Sequence, residues 1–332
     1  MKAAVVERPR IIVVKDVPKP MCDDYSIIVK VCKAAICNHS DVALWEGKWP
    51  PVKDFWEPSD YPFILGHEFS GEIIEIGAKV KEIYPELKLG DRICEWTWCG
   101  GFAEYVRIDV RKVCIAKLPE NISYEEGALL ELAGGSTMVC AYDCFRPAYR
   151  VLIMGCGPAG LCLIQHAKNL GAEVAATDLY DSRLKLARKL GASAVYNASE
   201  YGPAELAEVI KRDFGEVDVV VDTAGAKSAV TTGIEALRYR GEYIIFAHPT
   251  GGVPVPFKRI SEKKIIIRSF DASRERRIKL LALAAKQVSE GKLDLKSLIS
   301  HRLPLAKVEE GLKLCKDKPS EVVKIVIDIS KE

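Results

Sequence analysis

"VLIMGCGPAG", residues 151–160, joins an apolar run typical of a buried strand to three spaced glycines. Gly155, Gly157 and Gly160 follow the pattern G-x-G-x-x-G, and the helical sequence PAGLCLIQHAKNLGA begins inside it. The first glycine permits a tight turn, the second lets backbone approach a diphosphate, and the third lets helix and strand pack closely. The N-terminus of the helix then faces the negative charge. This context predicts a dinucleotide-binding turn, with the candidate residues Gly155, Gly157, Pro158, Ala159 and Gly160.

Asp178 closes the next strand-like run, EVAATD. In dinucleotide-binding units, an acid about 20 residues after the glycines accepts hydrogen bonds from the adenosine ribose hydroxyls. A carboxylate there also repels a 2′-phosphate, so NAD is favoured over NADP. We include Arg183, in the helical run that follows, among the candidate cofactor-binding residues. The alternative is an ordinary α/β turn with a surface aspartate, against which the flanking strand and helix argue.

Strand and helix patterns alternate from Tyr149 onward. VDVVVD predicts a strand, SAVTTGIEALRYRG a helix and EYIIFA a further strand. Such alternation builds a parallel sheet that is covered by helices on both faces. Residues 1–130 instead contain short β-rich runs, such as SIIVKVCKAAIC and GEIIEIG, with glycine and proline between them. After Ser273, a helix and a final strand, EVVKIVIDI, complete the predicted elements.

The composition excludes several classes of protein. A chain of 332 residues suits two domains, and 48% hydrophobic with 28% charged residues is typical of a soluble globular protein. The net charge of +2 gives no reason to expect nucleic acid or a membrane as a partner, and no apolar run reaches the roughly 20 residues that span a bilayer. The start, MKAAVVERPR, lacks the apolar stretch of a secretion signal. Eleven scattered cysteines predict reduced thiols and a cytoplasmic location.

Two polar clusters in the first segment could hold a metal. ICNHSDVALWEG contains Cys37, and YPFILGHEFSGEIIEIG contains His67 and Glu68 between a glycine and a strand. Thiolate and neutral imidazole are good zinc ligands, and a carboxylate can complete a three-ligand catalytic site with an open position. Spacing alone does not decide, because no short-range rule ties Cys37 to His67. A buried core thiol and a hydrogen-bonded turn histidine would explain the same residues.

Several short motifs follow one another in a specific order. They are Cys37 followed by Ser40-Asp41, then GHE, GDR, GALLE and GCGPAG, and late in the chain LPLAKVEEGLK. In this order they resemble the zinc-dependent medium-chain dehydrogenases, and within them the sorbitol (polyol) dehydrogenase branch. The resemblance implies an α/β fold in which a Rossmann domain with a doubly wound parallel sheet, residues 133–272, is inserted in a mostly β GroES-like catalytic domain, residues 1–132 and 273–332.

The resemblance also implies how a catalytic zinc would be held. Cys37 and His67 would be ligands, and Glu68 would be a direct or intermittent ligand. Glu131, the last residue of GALLE, would touch the metal or its water, as in the polyol branch. In the alcohol-specific branch a cysteine stands near there, and none does here. The candidate metal ligands are therefore Cys37, His67, Glu68 and Glu131.

Two residues next to Cys37 take separate roles from the same resemblance. The Ser40 hydroxyl would hydrogen-bond the substrate oxygen and pass its proton toward the cofactor ribose. Asp41 would hold His67 by its second ring nitrogen, the usual arrangement around zinc-bound histidine. With Glu68 and Glu131 they form the predicted catalytic set. The alternative for Ser40 and Asp41 is a turn or helix cap, where Ser and Asp are favoured.

The sequence departs from the family pattern close to these residues. Three residues rather than two separate Cys37 from Asp41, and Ala43 stands where the family has a relay histidine. His39 could serve instead, or it could be an exposed loop residue. Leu132 replaces the family's proline after the glutamate of GALLE, which bears on the placing of that glutamate.

The lobe that holds a structural zinc in many relatives is missing from the sequence. GDRICEWTWCGGFAEYV runs directly from GDR into the next predicted strand. Cys94 and Cys99 alone cannot make a tetrahedral four-cysteine site. We therefore expect one catalytic zinc per chain and no structural zinc.

Together these features predict an NAD-dependent zinc dehydrogenase that oxidises a secondary alcohol or a polyol of the sorbitol type to a ketone. The alternatives are an L-threonine 3-dehydrogenase-type enzyme or a general alcohol dehydrogenase. Further alternatives are a zinc-free quinone or enoyl reductase and a non-catalytic NAD-binding protein. The aromatic stretch LWEGKWPPVKDFWEPSDYP is either a wall of the substrate pocket or a surface loop. The resemblance to this family also implies that the chain forms a homo-dimer or homo-tetramer.

Overall fold

The chain forms two compact units in a computed structural model. The first unit comprises residues 1–134 and 273–332, and the second comprises residues 135–272. Within the ranges described, no helix combines the length and the apolar character needed to cross a membrane. The structure describes residues 1–48, 61–96, 100–248 and 252–330.

The secondary structure alternates between strand-rich and mixed regions. In chain order the strands are β1 (Lys2–Arg8), β2 (Ile11–Asp16), β3 (Ser26–Ile36), β4 (Phe63–Ile64), β5 (Glu68–Ile76), β6 (Arg92–Trp96), β7 (Tyr105–Asp109), β8 (Cys114–Lys117), β9 (Arg150–Met154), β10 (Glu173–Asp178), β11 (Ala194–Asn197), β12 (Val217–Asp222), β13 (Leu237–Ile245), β14 (Ile266–Ser269), β15 (Ile299–Pro304) and β16 (Lys324–Asp328). The α-helices are α1 (Ser40–Trp45), α2 (Tyr124–Ala128), α3 (Leu130–Ala141), α4 (Pro158–Asn169), α5 (Asp181–Leu190), α6 (Pro203–Asp213), α7 (Lys227–Ala236), α8 (Phe257–Lys263), α9 (Arg274–Ser289) and α10 (Val308–Asp317).

The first unit is built on a seven-stranded sheet around β3. The sheet has the order β15-β16-β3-β5-β6-β8, and β7 also pairs with β3. The sequence of β3, SIIVKVCKAAI, is almost wholly buried, which explains its near-continuous apolar character. A smaller sheet has the order β2-β1-β4.

Strand pairing brings three distant parts of the first unit together at one end of β3. In the antiparallel β3–β5 pair, Ala35 lies opposite Glu68, so the end of β3 meets the start of β5. In the antiparallel β16–β3 pair, Ile325 lies opposite Ile36. The first residue of β16, Lys324, therefore reaches the same end of β3 from the other side.

The second unit has a six-stranded sheet, and all neighbouring strands in it pair in parallel over the described residues. Its order is β11-β10-β9-β12-β13-β14, so the winding direction reverses between β9 and β12. The apolar residues of β9, β10 and β12 are buried, as strands of a doubly wound sheet require. The predicted combination of a Rossmann-type parallel sheet with a mostly β GroES-like domain is confirmed.

One predicted element has a different boundary. The sequence SAVTTGIEALRYRG suggests a single helix, but α7 ends at Ala236 and β13 begins at Leu237. Leu237 lies opposite Val217 on β12 across an irregularity in the ladder. The Lys263 ammonium donates to the Glu235 carbonyl at 2.7 Å and so satisfies the C-terminal end of the helix. A tertiary contact, which helical periodicity does not report, therefore stops the helix.

Candidate metal and dinucleotide sites

Three potential metal ligands converge in the first unit. Cys37 follows the end of β3, His67 precedes β5, and Glu68 is the first residue of β5. One ligand atom from each of these residues lies within 4.8 Å of the others. His67 and Glu68 are buried, and Cys37 is half-buried. The antiparallel pairing of β3 with β5 therefore brings Cys37 next to His67. Their spacing in the sequence does not predict this proximity.

Asp41 holds two of these residues from α1. It is fully buried, and its Oδ1 lies 3.1 Å from His67 Nδ1. Its Oδ2 accepts the Cys37 backbone N–H at 2.8 Å. Burial alone would lower the pKa of His67, but the Asp41 carboxylate and, more weakly, Cys37 outweigh it, so the pKa of His67 is raised well above its usual value. Asp41 thus leaves the other ring nitrogen, Nε2, to face a ligand.

Ser40 contacts the thiol directly. It is the first residue of α1, and its backbone N–H points at Cys37 Sγ at 3.4 Å. The Cys37 thiol donates to Ser40 Oγ at 3.3 Å. The N-cap residue is His39, which is exposed and makes no side-chain capping bond. Ser40 is therefore a neighbour of the cysteine rather than a helix cap.

Lys324 is a site residue that the sequence analysis missed. Its Nζ donates to Glu68 Oε1 at 2.6 Å and lies 2.6 Å from Oε2, and each residue is only 1% exposed. Burial lowers the pKa of Lys324, but Glu68 more than offsets this and raises it. The signal was the single lysine in the otherwise apolar run VVKIVI. The metal-ligand group therefore includes one partner of a buried ion pair, Glu68, which Lys324 neutralises.

Glu131 lies near this group but is not part of it. Ser123 and Glu126 form a capping box that starts α2, and α3 then begins at Leu130, so Glu131 is in its first turn. In the part of the chain that is described, the group of ligand atoms within 4.8 Å comprises Cys37, His67 and Glu68 without Glu131. Burial raises the pKa of Glu131 to about 7. The charge of Glu68 also raises this pKa, and that of His67 lowers it. Glu131 is therefore a neighbouring carboxyl group that can carry a proton near neutral pH.

The donor set fits a zinc ion. A thiolate, an imidazole and a carboxylate are the ligand types of catalytic zinc sites with an open position. Cys37, His67 and Glu68 would hold the ion, and Asp41 would fix the tautomer of His67. Because imidazole must be neutral and the thiol ionised to bind a metal, binding releases protons from these residues.

The glycine turn of the second unit has the geometry of a phosphate-binding turn. Gly155 has φ of +99°, which favours glycine. A Cβ at Gly160 would lie 1.9 Å from the Gly155 carbonyl oxygen, so the third glycine is required by close packing. Apart from Gly157 itself and its two chain neighbours, no atom of the described residues lies within 4 Å of the Cβ position at Gly157, which leaves room for a diphosphate at the N-terminus of α4. Pro158 and Ala159 form the start of that helix.

Asp178 is held in place at the end of β10. Its Oδ2 accepts the Cys156 N–H at 2.7 Å and its Oδ1 accepts the Tyr180 N–H at 3.0 Å. Arg183 Nη1 lies 3.7 Å from Oδ2, and both side chains are largely buried. The carboxylate is thus oriented beside the glycine turn, where a ribose would lie.

Two parts of the sequence analysis concern residues outside the described ranges. Most of the aromatic stretch LWEGKWPPVKDFWEPSDYP falls on residues 49–60, and Cys99 also lies outside. Cys94 is buried in β6, and its thiol donates to the Ala116 carbonyl at 3.7 Å.

Known proteins share both units. The alcohol dehydrogenase GroES-like domain matches residues 23–132, and the zinc-binding dehydrogenase family matches residues 158–286. An alcohol dehydrogenase of Geobacillus stearothermophilus is 32% identical over 86% of this chain and 89% of its own length. A sorbitol dehydrogenase of Bacillus subtilis is 28% identical over 98% of this chain and 97% of its own.

A solved structure extends the similarity to three dimensions. The crystal structure of 2R,3R-butanediol dehydrogenase from Bacillus subtilis has a TM-score of 0.84 and 25% identity, and the match covers 99% of both chains. Together with the relative that is 32% identical over 86% of this chain, these matches assign the chain. It belongs to the zinc-dependent medium-chain dehydrogenase family, in the branch that resembles the sorbitol dehydrogenases.

Proposed function

We propose that the chain uses one bound zinc and NAD to oxidise a secondary alcohol or a polyol to a ketone. The observation that carries this proposal is the cluster of Cys37, His67 and Glu68, with Asp41 behind the histidine. When bound, zinc supplies a Lewis acid that lowers the pKa of an alcohol hydroxyl toward neutrality. NAD, when bound, would supply the hydride acceptor for the carbinol carbon.

The roles of the chain's own residues follow from their positions. Cys37 and His67 would bind the metal, and Asp41 would keep the imidazole in the tautomer that can bind it. The Ser40 hydroxyl, next to the Cys37 thiol, would accept a hydrogen bond from the substrate hydroxyl, take up its proton and release its own toward the cofactor ribose. Glu68 would be an intermittent ligand, because it must exchange its ion pair with Lys324 for the metal.

The preference for a secondary alcohol or polyol rests on Glu131. A carboxyl group beside the metal site gives a second substrate hydroxyl a strong hydrogen-bond partner, whereas a cysteine sulfur is only a weak one. In the metal-free chain burial raises its pKa to about 7, and a carboxyl group that holds its proton can donate as well as accept a hydrogen bond. Relatives named sorbitol dehydrogenase and probable D-xylulose reductase A fit this preference. Threonine, a secondary alcohol that bears an amine, is the second candidate substrate.

The preference for NAD rests on Asp178. Its carboxylate is fixed by two backbone N–H groups, so it cannot easily turn away from a 2′-phosphate. The desolvated charge would accept hydrogen bonds from ribose hydroxyls and repel the phosphate of NADP. Arg183 lies close enough to shield part of that charge, and so its substitution should also affect cofactor choice.

The central experiment combines metal analysis with a substrate panel. Purified protein should contain about one zinc per chain, and chelation should abolish NAD reduction while circular dichroism stays largely unchanged. The panel should include polyols, vicinal diols, threonine and simple primary alcohols. Two tightly held zincs, or full activity without zinc, would contradict the proposal. Primary alcohols that outperform every other substrate would contradict its substrate class.

Variants then test the individual roles. Glu131→Ala should lower kcat/KM by about 10- to 100-fold, the usual scale for disturbing the surroundings of a zinc site. Ser40→Ala should cost at least as much if Ser40 carries the proton. His39→Ala is the matched comparison, because His39 is exposed one residue away. A loss in the His39 variant equal to that in the Ser40 variant would move the relay to His39.

Two alternative classes make different predictions. Reduction of a quinone or enoyl substrate without zinc would favour a zinc-free reductase. Binding of NAD without any turnover would favour a non-catalytic NAD-binding protein. The zinc-free reductases do not need a thiolate, an imidazole and a carboxylate in one place, and a non-catalytic NAD-binding protein needs only the second unit. The metal-ligand cluster therefore supports the dehydrogenase over both.

We also propose that the chain forms a homodimer through β14. This strand is the last in the order of its sheet, and its adjacent residues Ile266 and Ile267 are 46% and 40% exposed. Since neighbouring residues of a strand point to opposite faces, β14 is uncovered on both faces. An apolar edge strand is a template for pairing, and an isologous pairing with a second copy would cover it.

The cysteines support a cytoplasmic location. The ten cysteines within the described ranges are all free thiols, and seven of them are buried. Free thiols persist in reducing compartments.

A further inference from the structure

The turn between β12 and α7 has no role in the site described so far. The sheet order reverses between β9 and β12. In open α/β sheets, ligands bind in the crevice at the carboxyl ends of the strands where the order reverses. The glycine turn after β9 forms one wall of this crevice, and residues 223–226 after β12 form the facing wall.

Thr223 connects the two turns. Its backbone N–H donates to the Met154 carbonyl at 3.0 Å, and its hydroxyl lies 2.9 Å from that carbonyl and 3.0 Å from the Gly155 carbonyl. The Gly155 carbonyl is the group against which Gly160 packs. The Thr223 hydroxyl therefore holds the Gly155 carbonyl in its orientation. Gly160 packs against this same carbonyl.

The Asp222 carboxylate also stabilises the turn between β12 and α7. Its Oδ1 accepts the N–H groups of Ala224 and Gly225, each at 2.9 Å. Its Oδ2 accepts the hydroxyl of Tyr243, on β13, at 2.8 Å. Asp222 is 3% and Tyr243 2% exposed, so the carboxylate depends on these donors instead of water. Burial, and then the Asp222 charge, raise the pKa of Tyr243, which keeps its hydroxyl a neutral donor.

We propose that Thr223 and Tyr243 are positioning residues for the dinucleotide. Thr223 ties the β12–α7 turn to the glycine turn, and Tyr243 fixes the Asp222 carboxylate that shapes the β12–α7 turn. The two backbone walls of the crevice are then preorganised before the cofactor arrives. Neither side chain has to touch the cofactor. The inference rests on the proposed binding of NAD by this unit.

Tyr243→Phe removes one hydroxyl and leaves the ring in place. Because Asp222 would keep only two of its three donors, the turn should loosen and the dissociation constant of NADH should rise about 10-fold. NADH fluorescence titration measures this in the zinc-loaded protein, alongside KM for NAD, KM for the alcohol and kcat. KM for NAD should rise with the dissociation constant, while kcat at saturating NAD and KM for the alcohol stay within about twofold. The matched control is Tyr239→Phe, on the same strand but 54% exposed, which should behave as wild type.

Thr223→Val and Thr223→Ser provide a second, independent pair. The valine variant keeps the shape and loses the hydroxyl, so it should weaken NADH binding, and the serine variant should restore it. This pair decides the question if Tyr243→Phe fails to fold. NADH binding equal to wild type in both Tyr243→Phe and Thr223→Val would overturn the inference while leaving the proposed function intact. A wild-type protein that binds no NADH would overturn the proposed function, and this inference with it.

Discussion

Glu68 and Lys324 form a buried ion pair whose two residues are 256 positions apart in the chain. Charges in a protein interior are tolerated when they are paired, and removing one partner leaves the other without compensation. The pair therefore has two possible functions: it stabilises the metal-free site, and it competes with zinc for the Glu68 carboxylate. These functions predict different behaviour with and without metal.

Lys324→Met should destabilise the metal-free protein by about 3 kcal/mol, because it leaves the Glu68 carboxylate buried without a cation. In the zinc-loaded protein the loss should be smaller, since a metal ion can take up the freed carboxylate. Urea unfolding of both forms measures the difference. Lys324→Arg, which keeps a cation, is the control. Equal losses with and without zinc would argue against Glu68 as a ligand.

Asp178 is the residue that should decide the choice of cofactor. Asp178→Ser removes the charge that opposes a 2′-phosphate, so the ratio of kcat/KM for NAD over NADP should fall by about 10-fold or more and can invert. Steady-state kinetics with both cofactors measure this ratio. A wild-type protein with the higher kcat/KM for NADP would show the assignment of Asp178 to be wrong.

Glu131 should make the stability of the metal-free protein depend on pH. Its pKa is raised from 4.5 to about 7 in the folded chain, so the folded state holds the proton more tightly than the unfolded state. The stabilisation is fully present below pH 4.5 and is lost as the pH rises through about 7. Glu131→Gln should remove this loss and be more stable than wild type at pH 8, on the order of 1–2 kcal/mol. Unfolding free energies at pH 5 and pH 8 test it, and a parallel pH dependence in both proteins would contradict it.

At the level of elements, α1 carries Ser40 and Asp41 and is anchored at its far end by Glu46. The Glu46 side chain is only 5% exposed and faces three cations: Lys48 at 2.6 Å, Lys316 at 3.0 Å and Arg10 at 3.1 Å. The hydrogen bond from Lys48, then that from Lys316, outweigh burial and lower the pKa of Glu46 to about 2. This short helix is therefore fixed at one end by ion pairs and at the other by the metal-ligand cluster.

Glu46→Gln should destabilise the protein at pH 7 by about 1–2 kcal/mol, because a single neutral amide would face three cations. The depressed pKa means that the stabilisation is present above pH 4.5 and is lost as the pH falls toward 2. Thermal unfolding at pH 7 and pH 3 should show the difference shrink at the lower pH. Glu309→Gln, which breaks an exposed pair with Lys313 on α10, is the control and should cost less than about 0.5 kcal/mol. Equal losses in the two variants would contradict the anchoring role.

On the scale of the whole molecule, the exposed edge of β14 should control assembly. Introducing lysine at both Ile266 and Ile267 places charges on the proposed interface and should convert the dimer to a monomer. Light scattering with size-exclusion chromatography measures the mass. Leu283→Lys, at a 43% exposed position on α9, is the matched control and should leave the mass unchanged. A monomeric wild-type protein would refute the proposal.

The fold and family could be predicted from the sequence because their signals are local or ordered along the chain. The run VLIMG followed by spaced glycines marks a strand, a turn and a helix within ten residues. The order of GHE, GDR, GALLE and GCGPAG is read directly from the chain, and the family it indicates is confirmed by the matching relatives. The roles assigned to Ser40, Glu68 and Glu131 remain predictions for the experiments above.

By itself the sequence determined the element types, the dinucleotide turn and the family, since periodicity and spacing record how each residue sits relative to its near neighbours. Only the tertiary structure decided that Cys37 meets His67, that Lys324 pairs with Glu68, and that α7 stops at Ala236. These outcomes depend on the register of strands that are far apart in the chain. A change of one residue in the β3–β5 or β16–β3 register would turn the site residues to the opposite face of the sheet. Local sequence patterns do not specify that register, and long-range packing does.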